Sequence, residues 1–73
     1  MRDADGVEWL SVKDAARVVR VRESAIYVWI SRRKVDAHKV RGRAYVRMPD
    51  VMAAEAEWVR RAERARLRAV TEP

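Results

Sequence analysis

The sequence predicts a mainly α domain that carries one small β-hairpin. Three observations predict it. Apolar residues recur at helical spacing over three stretches; a fourth stretch alternates around a lone glycine, Gly42; and 73 residues leave room for one core. A chain this short has little stability to spare, so its large apolar residues are expected to be structural.

Residues 1–8, MRDADGVE, are polar and unpatterned and are expected to form a flexible tail. Ser11 then opens a capping-box-like start with Asp14 three positions on, and Val12, Ala15, Ala16 and Val19 form one stripe of a helix over about 12 to 19. Trp9 or Leu10 provides an extended lead-in to that cap. The apolar phase resets across Arg20 to Arg22, which predicts a turn and a second helix from about Glu23, where a carboxylate suits the positive end of the helix dipole.

On the second helix Ile26, Trp29 and Ile30 share one face, so Ser24, Tyr27, Val28 and Ser31 look the other way with Arg32 beside them. After Lys34 the period changes. VDAHKV and AYVRM alternate around RGR and read as a hairpin with Gly42 in a φ > 0 turn position and Arg41 and Arg43 at its tip. Pro49 and Asp50 mark the first turn of a last helix over about 50 to 68. Val51, Ala54, Trp58, Ala62, Ala65 and Ala69 form its inward stripe. Beyond Trp58 that stripe holds only alanine, so the first two turns are expected to dock and the rest to project.

Composition narrows the function classes. Seventeen Lys and Arg stand against eleven acids, a net charge of +6, and all but Lys13, Lys34 and Lys39 of the cations are arginine. The planar guanidinium fork matches phosphates and guanine edges, so a polyanionic partner fits the balance; arginine standing in for lysine on an ordinary surface fits it equally. There is no cysteine, hence no disulfide and no thiolate chemistry. His38 is the single histidine and no carboxylate cluster accompanies it, so neither a metal site nor a catalytic set can be assembled, and no enzyme, cofactor or small-molecule ligand is expected. No stretch approaches the roughly 18 apolar residues that cross a bilayer, and the expected setting is the cytoplasm.

The order of elements is that of a helix-turn-helix followed by a two-stranded wing and a C-terminal helix, in which the second helix enters the major groove and the hairpin reaches toward phosphates or the minor groove. Residues 9 to 58 carry a resemblance as well. Leu10-Ser11, Asp14-Ala15-Ala16, Val19, Val21, Ile26-Tyr27, Trp29-Ile30 and Lys34-Val35, followed by RGRAYV and PDV, resemble the small MerR-like winged helix-turn-helix proteins, above all the excisionase type of phages and plasmids. Departures are Arg20 and Arg22, where those proteins often have a glycine and a Ser or Thr cap, Arg33 in place of a glycine before Lys34, and a hairpin about one residue short.

Geometry assigns the candidate DNA-binding residues within a domain of about residues 9–70. Ser24, Val28 and Ser31 can approach base edges; hydroxyls are unselective, and valine suits a thymine methyl. Tyr27 is either a phosphate donor, to which the resemblance also points, or the edge of the core. Glu23 either stabilises the helix dipole or accepts from a cytosine amino group. Arg17, Arg22, Arg32, Arg33 and Lys34 would set the module on phosphates, with Arg41 and Arg43 acting from the wing. Trp9, Trp29 and Trp58 are expected as three anchors of one core.

The resemblance implies a sequence-specific binder of double-stranded DNA, an excisionase that bends attachment-site DNA beside an integrase or another copy of itself. A small MerR-like transcription regulator is the alternative, and a basic protein-interaction module a further one. The alanine stripe and positive charge of the last helix are poor material for a tight dimer seam, so a monomer in solution is expected.

Overall fold

The computed structural model describes residues 1–71, with side chains described through residue 68. Its elements run in the order β1 (Trp9–Ser11), α1 (Val12–Val19), α2 (Glu23–Ser31), β2 (Ala37–Val40), β3 (Arg43–Arg47) and α3 (Met48–Thr71). The strands form one antiparallel sheet in the order β1-β3-β2. Leu10 pairs with Val46 and Ala37 with the same Val46 from the other side, so the lead-in to the first helix is a third strand alongside the hairpin.

Local chemistry sets the helix boundaries. The Asp14 amide donates to Ser11 Oγ at 3.2 Å, which caps α1 as its sequence predicts. The helix stops at Arg20, whose left-handed backbone (φ 56°) turns its amide back to the Ala16 carbonyl. Arg22 begins α2 with no side-chain cap, as expected of a residue without a short oxygen. Arg33 is again left-handed at φ 58°. Both places where the resemblance leads one to expect glycine are thus positions where the backbone asks for it.

In the hairpin, Arg41 (φ 51°) and Gly42 (φ 79°) form a two-residue turn with both φ positive, the primed geometry that matches strand twist. Asp50, in the first turn of α3, closes the other end of the hairpin. It accepts from the Asp36 amide at 3.1 Å and from Arg47 at 2.8 Å.

The core lies between α1, α2, the sheet and the start of α3. Ile26, Val46 and Val51 are fully buried, with Val12, Ala15, Trp29, Val35, Met48 and Ala54 around them. Burying a side chain such as Ile26 stabilises by about 1.5–3 kcal/mol, so a few such residues decide whether the domain folds.

One expectation is corrected. Trp9 and Trp29 are both 7% exposed, but Trp58 is 54% exposed and anchors no core. The physical reason is reach: α3 leaves the core after Ala54, Trp58 rests on the rim beside Trp29 and Val28, and every described residue from Trp58 on is exposed. The projection itself is as expected; Ala69 lies outside the residues whose side chains are described.

The N-terminal segment, expected as a flexible tail, is folded back on β1. The backbones of Arg2 and Glu8 pair in an isolated antiparallel β-bridge, Gly6 makes the turn at φ 79°, and Asp3 accepts from the Asp5 and Val7 amides and from the Trp9 indole at 2.9 Å. A buried indole needs a partner for its N–H, and Asp3 supplies it.

Candidate nucleic-acid interface

The candidate interface centres on α2. Its nine residues turn Ile26 and Trp29 into the core, and the same 100° step leaves Tyr27 at 50% and Val28 at 44% exposure on the opposite side. Ser24, Ser31, Arg32, Arg33 and Lys34 are also exposed, as are Arg17 and Arg22 on the approach. From Tyr27 through Ser31 to Val28 the outward side of α2 is one continuous strip. The strip carries the two hydroxyls of Ser24 and Ser31, the Tyr27 phenol and the branched methyl pair of Val28.

One flank of the strip faces the wing. Ser11, Lys13, Glu23, Tyr27, Gly42 and Arg43 line an open cleft of about 380 Å³ between the start of α1, α2 and the hairpin tip. Arg43 and Tyr27 thus border a shared space, with Arg41 exposed on the turn beside them. Lys13 lines it too, and sequence reasoning missed it. The signal was present: Lys13 and Arg17 lie four apart on the side of α1 away from the Val12, Ala15 and Ala16 stripe. Glu23 sits among these cations and lends the cleft a carboxylate.

The other flank faces α3. Trp29, Arg32, Lys34, Ala54, Glu57, Trp58 and Arg61 line a small pocket there. Lys34 Nζ reaches Glu57 Oε1 at 2.8 Å, and Arg61 reaches the same oxygen at 3.3 Å. The Lys34 hydrogen bond, reinforced by the Lys34 charge, holds the Glu57 carboxyl below its ordinary range. Lys34 therefore sits at the edge of the strip with part of its charge already matched. Ser31 is engaged as well, its hydroxyl donating to the Val28 carbonyl at 2.8 Å, which leaves its oxygen free to accept.

Among the described residues no group of His, Cys, Asp and Glu could hold a metal ion, and no helix is long and apolar enough to cross a membrane. No curated protein and no solved structure matches the chain. The family described as a helix-turn-helix domain matches residues 9–54, a span running from β1 through Ala54, the last buried one among the described side chains of α3, and covering well over half of the chain. That span holds both helices, the wing and all eleven candidate residues, and DNA is the partner that such a domain implies. With the two helices, the left-handed turn between them and the family match in agreement, the chain belongs to the helix-turn-helix domain family.

Proposed function

We propose that the protein binds double-stranded DNA sequence-specifically, α2 reading the major groove and the wing gripping the backbone. The observation that carries this reading is the division of α2. Ile26 and Trp29 are buried while Ser24, Tyr27, Val28 and Ser31 are exposed in one strip between cationic flanks. In this reading Ser24, Val28 and Ser31 meet bases; Tyr27, Arg17, Arg22, Arg32, Arg33 and Lys34 meet phosphates; and Arg41 and Arg43 act from the wing in or beside the minor groove. No step of it calls for a cofactor or a reacting group.

The resemblance of residues 9 to 58 to excisionases favours an accessory role in recombination, with an integrase or a neighbouring copy on the same attachment-site DNA. Transcription control as a small MerR-like regulator uses the same surface. An excision assay with an integrase encoded beside the protein separates the two: stimulated excision selects the first, and promoter repression or activation without it selects the second.

DNA recognition itself is tested by selection from a randomised duplex pool, followed by titration at several salt concentrations. The expected result is enrichment of one site and a fall of log affinity with log salt of about 0.9 per neutralised phosphate, hence a slope near −4 to −5 for about five phosphates. Equal affinity for every duplex, or binding indifferent to salt, overturns the proposal.

A further inference from the structure

Trp58 is 54% exposed although it continues the buried stripe of Val51 and Ala54. Its surroundings give the position a use. Val21, Ala25, Val28 and Trp58 line an open, largely apolar cleft of about 380 Å³ together with Arg20, Arg22 and Ser24. Ser24 and Val28 belong to the outward strip of α2, on the flank away from the wing, since the wing shares its cleft with Glu23 and Tyr27 instead. Trp58 thus borders the strip on that flank.

Beyond Trp58 the helix continues outward. Arg60, Arg61, Arg64 and Arg66 follow within nine residues, with Glu63 among them and Arg61 already 3.3 Å from Glu57 Oε1. A helix of 24 residues is about 36 Å long, and the molecule measures 53 Å along its longest axis against 23 and 20 Å across, so this basic arm stands clear of the body.

We propose that α3 from Trp58 to Arg66 is a second backbone-gripping element, which engages the sugar–phosphate strand on the flank of the recognition helix opposite the wing. The Trp58 indole N–H donates to a phosphate while its ring covers the adjacent sugar, and the arginines extend the grip outward along the strand. The inference rests on the proposed DNA reading of α2. Two features favour the duplex over other occupants. The cleft is continuous with the base-facing strip, so a protein seated in it would cover Ser24 and Val28. A second copy of the chain would bring an equally basic arm against this one.

The test uses the full chain, the selected duplex and a longer duplex centred on the same site. Trp9 and Trp29 are buried, so acrylamide quenching of the accessible fluorescence reports Trp58. Specific DNA is expected to reduce that quenching severalfold. A variant with Arg60, Arg61, Arg64 and Arg66 changed to alanine is expected to keep its base preference while its salt slope shrinks by about 0.9 for each phosphate it no longer neutralises. Trp58→Phe, which keeps an aromatic ring of smaller area and removes the donor, should weaken binding about threefold to tenfold on every duplex alike. Specific binding with unchanged quenching and an unchanged slope overturns the arm while leaving the α2 reading intact. Shielding of Trp58 that depends on protein concentration without DNA overturns it in favour of self-association. Absence of any sequence-specific binding overturns both readings.

Discussion

Arg20, Arg33 and Arg41 all hold a positive φ, a conformation in which the Cβ of an L-residue crowds the following carbonyl. The crowding costs roughly 1–2 kcal/mol at a non-glycine residue. Each is at a place where the chain reverses: the end of α1, the end of α2 and the hairpin tip. Arginine at these points places a cation where the chain is most exposed, at the expense of local strain. Arg33→Gly is expected to raise stability by about 0.5–1 kcal/mol, the strain relieved less the larger entropy that glycine loses on folding. Urea denaturation reads the gain, and DNA titration should show a shallower salt slope in the same variant. Loss of stability would mean that the arginine stem packs on α2 more than its exposure indicates.

At the scale of the element, α2 carries two duties on two sides, and neighbouring residues separate them. Trp29→Ala removes a buried indole from the core and is expected to cost about 3–5 kcal/mol, enough to unfold most of a domain this size. Val28→Ala, one residue away, should change stability by less than about 0.5 kcal/mol, as surface substitutions do, while lowering affinity for the selected site. Thermal melts and anisotropy titrations of the two variants give the comparison. Equal losses of stability would place Val28 in the core and remove the division on which the recognition strip depends.

Across the whole molecule, two carboxylates tie outlying segments to the body. Asp3 holds the N-terminal turn to Trp9, and Glu57 holds the end of α2 to α3 through Lys34. Hydrogen bonds from the Trp9 indole and from Lys34, respectively, are the leading causes that lower both carboxyls from their ordinary values of 3.8 and 4.5. A lowered folded-state value means that the stabilisation is complete above the ordinary value and is lost as pH falls through the folded one. The Trp9 indole and Lys34 ammonium resonances should therefore hold steady through neutral pH and shift with acid only below the ordinary values of their own carboxyl partners, 3.8 for Asp3 and 4.5 for Glu57. In Asp3→Asn and Glu57→Gln the corresponding acid shift should vanish. A shift centred above the ordinary values contradicts these ties.

Much of this was legible in the order of residues because it is governed by neighbours a few positions apart. Ser11 and Asp14 announced the start of α1, the spacing of Ile26, Trp29 and Ile30 oriented α2, and Gly42 between two alternating runs placed the turn of the hairpin. The belonging of Trp58 was not legible, because a helical stripe records which side of a helix is apolar and not how far along it the body extends. The fold back of residues 1–8 escaped for a related reason: one Asp3 carboxylate satisfying an indole six residues on leaves no periodic trace. The spacing of Lys13 and Arg17 puts both on the polar side of α1, but the cleft that Lys13 borders exists only once α1, α2 and the wing meet.

Capping, periodicity and turn chemistry are local and each acts on its own segment, so the helices, the hairpin, their order and the side of α2 that turns outward follow from the order of residues alone. Only the tertiary structure decided that β1 joins the wing as a third strand, that Glu57 draws in Lys34 and Arg61, and that Trp58 stands beside Val28 rather than within the core. Those outcomes depend on distances between elements far apart in the chain, and such distances are set by how the core packs.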